Sequence, residues 1–182
     1  MTVLKRNSIL VFDTNIFLTG IDFSLIPNEI YTTTQVIEEI EVVKYQEKNR
    51  AIATRIFAAK ETGQLIIKTP VNKYINYVTI NSKSTGDFSS LSETDIGLIA
   101  LALELQDAKK GDVIVYTNDY SMENLCYHLG LKFKSIFKPG IKKKLNFEIY
   151  CPICNKVYPS TNGYNNCDNC GIRLKRRALS FK

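Results

Sequence analysis

The chain has 182 residues, of which 45% are hydrophobic and 23% charged, with a net charge of +6 at neutral pH. That composition excludes disordered and fibrous classes, and the length holds one ordinary domain plus a small module that cannot bury a sufficient core alone. The longest apolar stretch, Ile96 to Leu103, has eight residues, and the run Ile9 to Phe12 is cut by Asp13. Neither a membrane-spanning helix nor a signal peptide is expected, which points to a cytoplasmic protein with no membrane partner. The charge is unevenly placed. Residues 1–130 carry 12 Lys/Arg against 16 Asp/Glu, and residues 131–182 carry 12 against 2. The basic segment is the electrostatic footprint of a nucleic-acid binder, or else a solvated tail that aids solubility.

In chain order, short Val/Ile/aromatic runs at Ile9–Phe12, Ile30–Thr33, Leu65–Lys68, Val113–Thr117 and Phe133–Phe137 predict strands. Most do not alternate apolar with polar, as expected for strands buried on both faces. Between them, Gln35–Lys44, Arg50–Glu61 and Glu93–Leu105 have helical period, and the last is apolar almost all round, so it should be the buried helix. Met122 to Leu129 also reads as helical and makes Cys126 a core residue. Gly63 supplies a helix stop, and Thr85-Gly86-Asp87 with its Asn/Ser-rich surroundings reads as a loop. The fold class is therefore α/β, a mostly parallel sheet flanked by helices. Residues 1–138 form this domain, 139–146 a basic linker containing Lys142, Lys143 and Lys144, 147–175 a cysteine module, and 176–182 a basic tail.

Cys151, Cys154, Cys167 and Cys170 spell C-x2-C-x12-C-x2-C, four thiolates in two knuckles that suit a tetrahedral structural Zn²⁺. Disulfides are the alternative, disfavoured in a chain without a secretory signal. Gly171 lets the second knuckle turn tightly.

Acids gather where ligands collect in open α/β sheets, at the carboxyl ends of strands. Asp13 ends the first strand, Asp119 follows the fourth, and Asp95 lies in the first turn of the buried helix. Of Glu38 and Glu39, only Glu39 borders the inward face set by Val36, Ile37, Ile40 and Val43. Singly, each acid has an ordinary reading as a helix cap, and Ser92 with Asp95 resembles a capping box. Jointly, carboxylates about 5 Å apart repel by roughly 3 kcal/mol per pair at an effective dielectric of about 20, a cost that a bound cation removes. Oxygen ligands of this kind suit Mg²⁺ or Mn²⁺.

The order Asp-Thr-Asn at 13–15, Val-x-x-Glu-Ile at 36–40, Ser-Glu-Thr-Asp at 92–95 and Thr-Asn-Asp-Tyr-Ser at 117–121 resembles the PIN-domain nucleases. With the cysteine module and the phrase Leu91 to Ala102, it resembles more closely the Nob family, in its compact archaeal form. The resemblance implies a PIN-like sheet followed by a zinc ribbon, and a metal-dependent endoribonuclease that matures the 3′ end of small-subunit (16S) ribosomal RNA. Its implied catalytic and Mg²⁺/Mn²⁺-binding residues are Asp13, Glu39, Asp95 and Asp119. Its implied partners are the RNA precursor, the pre-30S particle and a KH-domain assembly factor. Many PIN proteins place a further acid near the fourth; here the neighbours are Asn118 and Ser121. Lys142, Lys143, Lys144, Arg173, Lys175, Arg176 and Arg177 are candidate phosphate contacts, and Tyr158 and Tyr164 could stack on bases or pack around the zinc. His128 is not expected to act as a base. Two rivals remain, a toxin-like ribonuclease and a catalytically silent RNA-binding assembly factor whose acids merely cap helices.

Overall fold

The computed structural model describes residues 8–42, 50–108, 111–136, 145–159 and 165–179. Lys142, Lys143, Lys144 and Tyr164 lie outside them. Five parallel strands, β1 (Ile9–Phe12), β2 (Ile30–Thr32), β3 (Leu65–Ile67), β4 (Val113–Tyr116) and β5 (Lys132–Lys134), form one sheet in the order β3-β2-β1-β4-β5. Every residue of β1 is buried and β4 nearly so, as their continuous apolar runs require of central strands covered on both faces. Edge strand β5 alternates instead, starting and ending on lysine.

Helices α1 (Thr14–Leu18), α2 (Thr34–Val42), α3 (Arg50–Glu61), α4 (Asn72–Thr85), α5 (Glu93–Asp107) and α6 (Tyr120–Leu129) flank the sheet. The expected buried helix is α5, in which Ile96 through Leu103 and Leu105 are all buried. The sequence pattern missed α4. Its Asn/Ser/Thr content suggests a loop, yet those side chains turn back onto the helix: Thr79 donates to the Ile75 carbonyl (2.8 Å), Asn81 to Tyr77 (2.8 Å) and Ser82 to Thr79 (2.8 Å). With their polar groups satisfied within the helix, burial of Val78 against the core fixes the segment.

A second, antiparallel sheet of β6 (Phe147–Tyr150), β7 (Val157–Tyr158) and β8 (Lys175–Ala178) has the order β7-β6-β8. Here the sequence division needs correcting. Arg176 and Arg177, expected in a basic tail, lie in β8 opposite Ile149 and Glu148. Arg177 pairs with Glu148 (2.5 Å) and lies over the Tyr150 ring, so its charge is compensated within the strand pair.

Candidate active site and metal centre

Adjacency of two parallel strands creates the acidic edge. The Asp13 amide donates to the Tyr116 carbonyl (3.1 Å), joining the carboxyl ends of β1 and β4. One hydroxyl then links two acids: Thr117 donates to Asp13 Oδ2 (2.9 Å) and accepts from the Asp119 amide (3.1 Å). Sequence reasoning did not single out Thr117, although a lone hydroxyl directly after an apolar strand was a usable signal. Thr14, the first residue of α1, donates to Glu39 Oε2 (2.6 Å) and brings α2 into the same group. Glu39 is thus the α2 acid bonded to the residue that follows Asp13 in the chain.

The capping alternative holds for two acids and fails for a third. Asp95 forms a full capping box with Ser92, and Asp119 caps α6 through the amides of Ser121 (2.6 Å) and Met122 (3.4 Å). Asp13 stands at the N-cap of α1 and makes no side-chain cap bond. It is only 3% exposed. The described hydrogen bonds to Glu39, Asp95 and Asp119 each fall on a single oxygen, so capping leaves the second oxygen of each for another ligand.

Charge crowding is visible in the acidities. Burial, helped by the Asp95 charge and opposed by the Thr117 bond, pushes Asp13 up to about 6. Burial also raises Asp95, against the lowering effect of its Ser92 bonds, and the charges of Asp119 and Glu39 add to the rise. All four acids thus sense one another through Asp95. Among the described residues, no three or more carboxylates gather their oxygens as closely as the four sulfurs below. The donors on offer are all carboxylate oxygens, the ligand type that hard cations such as Mg²⁺ and Mn²⁺ take.

The cysteines build a closed centre. Their sulfurs lie within 4.8 Å of one another, with Cys151 and Cys167 buried. The two knuckles match in detail. The Asn155 amide donates to the Cys151 carbonyl and the Gly171 amide to that of Cys167, both at 2.9 Å. Both residues have positive φ, 58° and 67°. The sequence signalled only the glycine; asparagine also tolerates this region, so Asn155 was the overlooked counterpart. Four thiolates at this spacing could bind zinc. In the metal-free chain the Tyr158 hydroxyl beside it, with backbone amides, pulls Cys167 down to about 6, while hydrogen bonding with Cys154 pushes Cys170 up to about 12.

The candidate RNA contacts divide. Tyr158 is 5% exposed, its hydroxyl held by Asp168 and Cys167, so it is part of the module's small core and is not available for base stacking. Arg173 and Lys175 are exposed. Arg176 is turned inward against Asp87. His128 Nε2 lies 3.1 Å from the Leu145 carbonyl, a structural contact.

A parallel sheet with carboxylates at its edge and a Cys₄ module appended is the plan of a PIN-domain nuclease carrying a zinc ribbon. A family model described as the PIN domain of ribonuclease matches residues 10–105. "Endoribonuclease Nob1" of Methanocaldococcus jannaschii is 32% identical over 94% of this chain and 79% of its own length. The protein of the same name from Methanothermobacter thermautotrophicus is 32% identical over 92% of this chain and 91% of its own. "Ribonuclease VapC1" of Thermoplasma acidophilum is 29% identical over 96% and 80%. The chain belongs to the Nob family of PIN-domain endoribonucleases.

Proposed function

We propose that this protein is a metal-dependent endoribonuclease that matures the 3′ end of small-subunit ribosomal RNA in the cytoplasm, acting on the precursor within the pre-30S particle. The observation that carries catalysis is Asp13, a buried acid that caps nothing and is held among like charges by Thr117. A silent assembly factor whose acids merely cap helices would have no use for it. Similarity to two archaeal proteins named Endoribonuclease Nob1 supports the RNA substrate.

In this reading Asp13, Glu39, Asp95 and Asp119 hold Mg²⁺ or Mn²⁺, and Cys151, Cys154, Cys167 and Cys170 hold structural Zn²⁺. The divalent ion supplies activation of water and neutralisation of phosphate charge. The chain's own part is to place the acids. Thr117 and Thr14 orient Asp13 and Glu39, while the first turns of α5 and α6 fix Asp95 and Asp119. No His-based transfer is involved, so products carry 5′-phosphate and 3′-hydroxyl ends. Incubation with Mn²⁺ and a small-subunit RNA precursor, followed by end mapping, tests the reading. Chelator-insensitive cleavage, or 5′-hydroxyl ends, would overturn it.

A further inference from the structure

The ribbon is tied to the nuclease domain by contacts that neither metal site accounts for. Asp87, between α4 and α5, is fully buried. Its Oδ2 accepts from Thr85 (2.7 Å) and Asn124 (2.8 Å), and its Oδ1 pairs with the Arg176 guanidinium at 3.1 Å. Arg176 comes from β8 of the ribbon, donates also to the Ser90 hydroxyl, and stacks 3.6 Å over Phe147. Asn124 of α6 grips the chain entering the ribbon twice, donating to the Leu145 carbonyl and accepting from its amide, both at 2.9 Å. Gly86 completes the seam: at φ +78° it lets the Phe147 carbonyl approach to 2.7 Å from where a Cβ would stand. Asp87 and Ser90 belong to the short segment that feeds the capping box of Asp95, and the charge of Asp119 acts on Arg176.

We propose that Arg176 is a positioning residue: through Asp87 and Ser90 it locks the zinc ribbon against the carboxylate edge, so that RNA held by the ribbon meets the acids in one fixed register. The inference rests on reading those carboxylates as catalytic. A guanidinium suits this role because its planar fork serves two oxygens while its face stacks on Phe147, which an ammonium cannot reproduce. It also reassigns Arg176 from the phosphate contacts that its basic neighbourhood suggested.

The test uses full-length, zinc-loaded protein with Arg176→Ala, Arg176→Lys and Gly86→Ala. The last variant forces the same seam apart without changing any charge. On a long single-stranded RNA that spans ribbon and acids, all three should lower kcat by about 10-fold and spread the cuts over neighbouring phosphates, since small misplacements of substrate are costly. KM should move by less than about 3-fold, because uniform binding is retained. A short oligonucleotide that reaches only the acids should be cut at the wild-type rate. A raised KM with unchanged kcat and cut site in Arg176→Ala, with Gly86→Ala behaving as wild type, would make Arg176 a phosphate contact and overturn the proposal. Unchanged kinetics in every variant would overturn it too. If the wild-type protein cuts no RNA, the catalytic reading fails, and small-angle scattering then judges the lock alone: a larger radius of gyration in Arg176→Ala and Gly86→Ala supports it, and unchanged scattering overturns it.

Discussion

Asp13 ionises in a place that disfavours its charge. Burial and the Asp95 charge raise it from the ordinary 3.8 to about 6, so the metal-free fold disfavours the charged form. The consequence for stability has a definite sign. Well below 3.8 the acid is neutral in folded and unfolded chains alike and costs nothing; as pH rises through 3.8 the unfolded chain releases the proton first, and the penalty grows until it is complete above about 6. A shift of this size corresponds to about 3 kcal/mol against the metal-free fold at neutral pH. Asp13→Asn keeps an acceptor for Thr117 and removes the charge, so it should abolish metal-dependent cleavage yet raise the melting temperature at pH 7 in chelator, with most of that gain lost at pH 4. Melting scans at the two pH values check this. Destabilisation at pH 7 with retained cleavage would show that Asp13 serves the fold alone.

At the scale of elements, the two metal centres differ in what they hold together. The Cys₄ knuckles fold around the ion they would bind, at apparent free energies on the order of 10–16 kcal/mol, whereas the carboxylates stand on α/β elements that pack without it. Mild chelation should therefore stop cleavage while the circular dichroism spectrum stays native, and only a strong zinc chelator should disorder the ribbon. Elemental analysis finding no zinc in the purified protein would sink the assignment. The same contrast explains what could be read from the sequence. Central strands β1 and β4 were legible because burial on both faces demands an unbroken apolar run, and the cysteine spacing was legible because tetrahedral ligation fixes it. Helix α4 was not, since its polar side chains bond back to their own carbonyls. Strand β8 was not, since its arginines are matched by Glu148, Asp87 and aromatic faces that lie far away in the chain. The acids of the site were visible as residue types; the threonines that aim them were visible only in three dimensions.

For the whole molecule, the acidic domain repels RNA at long range and the basic half must supply the attraction. If about six phosphates are neutralised, affinity for single-stranded RNA should fall with a log-log salt slope of roughly −4, most of it lost on truncation after Gly140. Binding titrations at several salt concentrations measure both. Truncation has a second cost, because it leaves Asp87 buried without Arg176; loss of one partner of a buried pair destabilises by about 3–5 kcal/mol, less here because Arg176 is partly exposed. Adding Asp87→Asn to the truncated chain should recover part of that loss in urea unfolding.

Helix α5, buried from Ile96 to Leu103, carries Asp95 in its first turn, so the acid that senses all the others is anchored to the segment least able to open alone. In native-state hydrogen exchange, the amides from Ile99 to Leu103 should exchange only through global unfolding. Urea should then abolish cleavage in step with global unfolding, with no earlier loss of the active site. The ribbon is the part free to open first, and its amides should exchange fastest once zinc is withdrawn.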